Sequence, residues 1–173
     1  MIAPGFIDML GQSEMTMLID PRLPSKIYQG ITTEITGEGN SAAPINPVMV
    51  AAGRASYEHL KITPDWSTFR EYFARLERQG MGINLASYVG ATSVRRMVLG
   101  DADVQPTTVQ LAEMQALVRQ AMQDGAVGLS SALQYAPARR VQALQRQPVV
   151  LFQCSRHLHL RRDTWPVGGE HNV

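Results

Sequence analysis

Polar side chains able to do chemistry follow several short apolar segments of this sequence. Each segment has the length and the β-branched content of a buried strand, and each opens into a polar loop. In α/β folds the carboxyl ends of the strands are where binding and catalytic groups are placed. A carboxylate in such a loop can hold a metal ion. The polar residues in these positions are Ser13, Glu14, Glu38, Ser130 and Ser131.

Helices are predicted between the strand segments. The strands are expected at 2–8, 31–36, 83–89 and 126–130, with short helices near 24–30 and 48–55. Two longer helices are expected at 65–79, with Pro64 and Asp65 marking the start, and at 107–123. Thr107 and Gln110 have the spacing of a capping box, which supports the start of the second one. Strands that alternate with helices predict right-handed crossovers and a parallel sheet.

Three motifs carry a resemblance to a known family. Pro4-Gly5-Phe6-Ile7-Asp8, Gly30-Ile31-Thr32-Thr33 and the run 125–137 occur in the order found in the amidohydrolase superfamily. More narrowly, the sequence resembles the N-acyl-D-amino-acid deacylase (D-aminoacylase) branch over residues 2–138. The resemblance implies an α/β fold that is a partial (β/α)8 TIM-type barrel, about its first four βα units.

The resemblance divides the chain into two parts. Residues 1–138 are expected to form the N-terminal half of an amidohydrolase-like barrel, and 139–173 an irregular tail rich in arginine and histidine. The tail is either the product of a shifted reading frame or a natural, partly disordered segment. Four strands cannot close an eight-stranded barrel, so unpaired sheet edges could support self-association.

The resemblance also implies a metal site at the mouth of the barrel. Zinc is the expected cofactor of the complete parent protein, and Glu38 lies in the loop where the deacylases carry a metal-ligating cysteine. The His-x-His pair that usually follows the first strand is replaced by Leu10 and Gln12. Tyr135 and Ser131 are expected to bind substrate. The catalytic residues are unknown, because the family's other ligands and its proton-shuttling aspartate lie beyond residue 138.

Four further polar residues each have two interpretations. Ser13 and Glu14 either orient groups at the mouth or lie in a surface loop. Arg95 and Arg96 either meet a substrate carboxylate or pair with surface acids.

Two functions therefore remain open. The first is a fragment of a metal-dependent amidohydrolase that hydrolyses the amide bond of N-acyl-D-amino acids or similar N-acyl compounds, inactive as this chain alone. The second is a non-catalytic binding or scaffold module with the same fold. The substrate class is a small N-acyl amino acid in the first case.

Composition excludes several partners. A formal net charge of +1 gives no basis for binding nucleic acid, and no apolar run is long enough to cross a membrane. The single cysteine excludes an intrachain disulfide. The start of the chain lacks the basic and apolar regions of a signal peptide, which leaves the compartment open and favours the cytoplasm.

Overall fold

The computed structural model describes residues 3–131 of the chain. Tyr135 and the predicted tail 139–173 lie outside the described residues. Five short strands form the sheet part of the fold: β1 (Phe6–Asp8), β2 (Ile31–Thr36), β3 (Asn84–Ser87), β4 (Val89–Gly90) and β5 (Leu129–Ser130).

All three strand pairings are parallel. β1 pairs with β2 and β2 with β3 in one sheet, while β4 pairs with β5 in another. Only Tyr88 separates β3 from β4, and its backbone amide donates to Thr36 O at 2.9 Å. The predicted third strand is therefore one extended segment that contacts β2 with its first half and β5 with its second. The prediction of parallel strands is confirmed for the described residues, which form a three-stranded and a two-stranded sheet.

Seven helices occur among the described residues. The long helix predicted near the end of this part is confirmed, and Thr107 and Gln110 form the expected capping box at its start. The helices are α1 (Thr16–Ile19), α2 (Pro24–Ile27), α3 (Pro47–Ala52), α4 (Arg54–Leu60), α5 (Phe69–Gln79), α6 (Ala91–Leu99) and α7 (Thr108–Gln123).

Helix α5 begins four residues later than the sequence predicts. Thr68 caps it, with its hydroxyl accepting from Glu71 N while the Glu71 carboxylate accepts from Thr68 N. The preceding Trp66 donates its indole N–H to Ala42 O at 2.8 Å and is only 4% exposed. Pro64 and Asp65 therefore belong to a segment that is fixed by tertiary contacts, and the capping box sets the true start of the helix.

Helix α6 is absent from the sequence prediction. It follows β4 directly, and Gly90 stands at its N-cap without a side chain that could cap it. The usual start signal is therefore missing. The helix is instead stabilised by burial, since Val94 and Arg95 are at most 1% exposed.

The core lies on one face of the sheet, between the strands and the helices. Along β2, Glu34 and Thr36 are buried, whereas Thr33 and Ile35 on the other face are half-buried. Fully burying each large apolar side chain contributes roughly 1.5–3 kcal/mol. The largest fully buried apolar side chains of this core are Met17, Leu23, Phe69, Tyr72, Leu76, Val89, Val94 and Met114.

Candidate functional site

A shallow pocket of about 80 Å³ opens where the parallel strands end. β1 leads into the pocket at Met9, β2 at Thr36 and the β3–β4 segment at Tyr88. Parallel strands bring their carboxyl ends to one edge of a sheet, which is why residues distant in sequence meet here. The pocket is lined by Met9, Leu10, Ile35, Thr36, Glu38, Tyr88 and Ser130.

Residues Gly37–Asn40, here called the Glu38 loop, follow β2 at this pocket. Gly37 and Gly39 are buried, while Glu38 between them is exposed. The two glycines have φ angles of 89° and 67°, a region that L side chains rarely adopt. The predicted candidate Glu38 is therefore presented to the pocket by a tightly folded, glycine-flanked turn.

Glu14 holds the start of the Glu38 loop. Its Oε1 accepts from Gly37 N at 2.9 Å, and its backbone carbonyl accepts from the Tyr72 hydroxyl at 3.0 Å. Burial raises the pKa of the Glu14 carboxyl, and the hydrogen bond from Gly37 opposes part of that rise. The surface-loop interpretation of Ser13 and Glu14 is wrong, because Ser13 is only 7% exposed and Glu14 is half-buried.

A cluster of charged residues around the buried carboxylate of Glu34, on the helix-covered side of β2, was missed by the sequence analysis. Lys26 Nζ of α2 lies 2.6 Å from Asp8 Oδ2 and 3.5 Å from Glu34 Oε1. Glu34 is fully buried, accepts from Ser13 N at 3.0 Å, and its Oε2 has no hydrogen-bond partner among the described residues. The signal was a carboxylate in the middle of a β-branched strand, where a buried charge must be paired.

The protonation of the cluster follows from its pairing. The hydrogen bond from Lys26 lowers the pKa of Asp8. Burial alone would lower the pKa of Lys26, but the bond to Asp8 and the charge of Glu34 outweigh it and raise that pKa. The cluster is thus a structural tie between α2, β1 and β2, and none of its members lines the pocket.

The described residues do not fit a complete metal site. Leu10 and Gln12, at the positions of the missing His-x-His pair, are exposed, and Leu10 contributes only an apolar wall to the pocket. Within residues 3–131 no group of three or more His, Cys, Asp or Glu side chains could hold a metal ion. Glu38 is the one carboxylate that lines the pocket in this part of the chain.

The predicted substrate-binding residues lie at the limit of the described range. Ser131, the last described residue, is half-buried, and its hydroxyl has no hydrogen-bond partner among the described residues. It follows directly after Ser130, which lines the pocket. Tyr135 lies outside the described residues.

The two arginines are engaged by other groups of the chain, and one of these contacts reaches the Glu38 loop, since Arg96 Nη1 donates to Asn40 Oδ1 at 3.2 Å. Arg95 is 1% exposed, and its Nη2 donates to Ala102 O and Val104 O, both at 2.7 Å. Arg96 Nε donates to Asp101 Oδ1 at 2.7 Å, so its pairing with a surface acid is confirmed. Neither arginine lines the pocket. The hypothesis that one of them meets a substrate carboxylate there has no structural support.

Known proteins similar to this chain include deacylases. The N-acyl-D-glutamate deacylase of Alcaligenes xylosoxydans xylosoxydans is 36% identical over 138 residues, which cover 79% of this chain and 28% of the relative. This chain therefore spans under a third of the length of that relative. No protein-family model matches the sequence.

Two crystal structures have a similar fold. The N-acyl-D-glutamate deacylase of Bordetella bronchiseptica, complexed with zinc and a phosphonate inhibitor that mimics the tetrahedral intermediate, superposes with a TM-score of 0.70 at 35% identity. It covers 82% of this chain and 30% of that one. A D-aminoacylase described as defining a novel subset of amidohydrolases superposes with a TM-score of 0.65 at 31% identity. The match covers 79% of this chain and 29% of the D-aminoacylase chain.

No helix among residues 3–131 has the length and hydropathy to cross a membrane.

Proposed function

Because this chain is homologous, over 79% of its length, to the N-acyl-D-amino-acid deacylase (D-aminoacylase) branch of the amidohydrolase superfamily, we propose that it is part of such an enzyme. The reaction of the complete protein is hydrolysis of the amide bond of N-acyl-D-amino acids or similar N-acyl compounds. The observation that carries this proposal is the pocket at the carboxyl ends of parallel strands, in a chain whose fold matches two deacylase structures.

Two features of the fold support a partial (β/α)8 barrel rather than an open doubly wound sheet. Neighbouring strands pair in the order of the sequence, and the core lies on one face of the sheet only. A doubly wound sheet reverses its strand order and has helices on both faces. In this proposal residues 1–138 are the N-terminal half of the barrel and 139–173 a separate tail. The exposed β1 edge and its apolar residues Phe6 and Ile7 are then a route to self-association.

The proposed site residues have distinct roles. Glu38 is a metal ligand in the complete protein, with zinc as the metal, and Ser131 and Tyr135 bind the N-acyl amino acid. Only Glu38 lines the described pocket with a carboxylate. Since residues 3–131 contain no group of three potential ligands, the remaining ligands must come from outside this range. We propose that this chain alone is inactive, because the resemblance places the family's further ligands and its proton-shuttling aspartate beyond residue 138, where the resemblance ends. Nucleic acids and membranes are not proposed as partners.

A second function is favoured by the residues at positions 10 and 12. Leu10 cannot bind a metal, and Gln12 is at best a weak neutral ligand. A chain with these residues and no complete ligand set in its described part could be a non-catalytic module that binds N-acyl amino acids or a protein partner. Metal content separates the two functions, since the enzyme requires a bound metal and the module does not.

A zinc titration tests the role of Glu38 in the chain as it exists. Zinc added to ¹⁵N-labelled protein is expected to shift the Gly37 and Gly39 amide resonances, and Glu38→Gln to abolish that shift. Glu77→Gln, at an exposed position of α5, is the matched control and should leave the shift unchanged. A shift that survives Glu38→Gln would remove Glu38 from the metal site, whereas the absence of any shift in the unaltered chain would show that this chain does not bind zinc at the loop.

Activity is measured on the same samples with N-acetyl-D-glutamate and zinc. No release of acetate above the blank is expected from this chain, and turnover would show that its site is complete.

The coding DNA should also be sequenced through the codons for 135–146 and translated in all frames. A frame that continues past residue 138 with a helix and a strand ending in histidine supports the fragment. If no frame does so, the binding module becomes the better proposal.

A further inference from the structure

Ser130 connects the end of β5 to the Glu38 loop through both functions of its hydroxyl group. The hydroxyl donates to Gly37 O and accepts from Gly39 N, the latter at 3.0 Å. These two glycines flank Glu38. One side chain from a strand 91 residues away in sequence therefore holds the backbone on both sides of the candidate carboxylate.

The rest of the loop's surroundings leave it little freedom. A Cβ added at Gly37 would lie 2.1 Å from Tyr88 O, and one at Gly90 would lie 2.5 Å from Gly39 O. The amide of Thr92, at the start of α6, donates to Gly39 O at 3.0 Å. Backbone from the β3–β4 segment thus closes one side of the loop, and the Ser130 hydroxyl bridges the other.

The single proton of the Ser130 hydroxyl is used by this bridge. A serine hydroxyl has one proton to donate, and that proton goes to Gly37 O. Ser130 is therefore not available as a proton donor to a substrate, although it lines the same pocket as Glu38. Its contribution is to the position of the loop. A carboxylate on a loop is precise only when its supporting contacts fix the backbone.

We propose that Ser130 is a positioning residue that fixes the Glu38 loop and thereby the direction of the Glu38 carboxylate at the pocket. The link to metal binding rests on the proposed role of Glu38, but the fixing of the loop does not. Glu14 supports the same loop at its first residue. It accepts from the backbone amide of Gly37 at 2.9 Å, whereas Ser130 donates to the carbonyl of that residue. Without Ser130, the loop would keep the contacts of Glu14 with Gly37 N, of Thr92 with Gly39 O and of Arg96 with Asn40 Oδ1, but the Gly39 amide would lose its acceptor.

Amide hydrogen exchange of Gly39, followed by NMR, tests the proposal directly. In the unaltered chain the Gly39 amide is expected to be protected relative to an unstructured peptide, although it lies in a loop. Ser130→Ala should accelerate its exchange about tenfold, because one neutral hydrogen bond is lost. The Leu76 amide in α5 should exchange at its original rate. The control Ser56→Ala, at an exposed helical position, should change neither.

A matched pair of variants covers the case in which Ser130→Ala does not fold. Ser130→Thr retains the hydroxyl and Ser130→Val replaces it with a methyl group of similar size. Protection of Gly39 should survive in the threonine variant and be lost in the valine variant. An unprotected Gly39 amide in the unaltered chain, or equal protection in the threonine and valine variants, would overturn the proposal.

The zinc titration separates this inference from the proposed function. If Glu38 is a ligand and Ser130 positions it, Ser130→Val should weaken the zinc-induced shift of the loop amides and Ser130→Thr should restore it. If Glu38→Gln leaves the zinc response unchanged, the ligand role fails, and the Gly39 exchange rates still decide whether Ser130 fixes the loop.

Discussion

Replacing Lys26 with methionine should destabilise the fold more than removal of any exposed ion pair. Lys26 is 19% exposed and faces Glu34, whose side chain is fully buried. Methionine keeps the length and packing of the side chain but removes the positive charge. Glu34 would then keep only the hydrogen bond from Ser13 N, at 3.0 Å, to compensate a charge that has no access to water.

The size of the effect follows from the geometry. Two unit charges 3.5 Å apart interact by about 5 kcal/mol at an effective dielectric constant of about 20. Removing one partner of a buried pair typically costs about 3–5 kcal/mol, because the other charge remains uncompensated. Asp8 also loses its bond to Lys26, but its side chain is 25% exposed, so water replaces much of that interaction. We expect Lys26→Met to lower the free energy of unfolding by about 3–5 kcal/mol.

Urea unfolding, followed by far-ultraviolet circular dichroism, measures this loss. The matched control is Arg54→Met, which breaks the exposed pair with Glu58 and should cost no more than about 0.5 kcal/mol. Adding Glu34→Gln to Lys26→Met should recover part of the stability, since the uncompensated charge is gone. If Lys26→Met alone does not fold, the double variant should restore cooperative unfolding.

The reasoning is refuted by either of two results. One is a loss from Lys26→Met no larger than that from the Arg54 control. The other is a coupling energy between Lys26 and Glu34 below about 0.5 kcal/mol in the double-mutant cycle, since contacting charged residues usually show more.

Three further predictions concern single contacts. Tyr72→Phe should lower the free energy of unfolding by about 1–2 kcal/mol, because the backbone carbonyl of the half-buried Glu14 loses its donor; an unchanged urea midpoint would contradict this. Thr68→Ala should cost about 1 kcal/mol and fray the start of α5, and unaltered exchange of the amides in its first turn would argue against the capping box. The pKa of Asp8 is lower in the folded protein than its unfolded value of about 3.8. The ionised carboxylate therefore stabilises the fold at pH values above 3.8, and this stabilisation is lost as the pH falls through the folded pKa. Asp8→Asn should therefore flatten the decline of stability below about pH 4, and a decline as steep as that of the unaltered chain would show that another group is responsible.

Local chemistry in the sequence was sufficient for the main elements. The β-branched run 31–36 forms β2 over the predicted residues, and the Thr107–Gln110 capping box starts α7 as expected. Both features depend on residues that are close together in the sequence, so a local sequence pattern is enough to predict them. The Glu38 loop was also recognisable, because two glycines around a carboxylate indicate a tight turn after a strand.

Only the tertiary structure decided which polar residues meet. The Lys26–Glu34 pair joins a helix to a strand, and the sequence gives no direct measure of which charge is buried opposite which. Helix α6 follows a strand without a capping residue, since packing in the core stabilises it in place of a cap. Ser130 bonds both glycines of the Glu38 loop because β2 and β5 each run parallel to the β3–β4 segment that lies between them. Such contacts depend on how the chain packs across long separations, which no local pattern specifies.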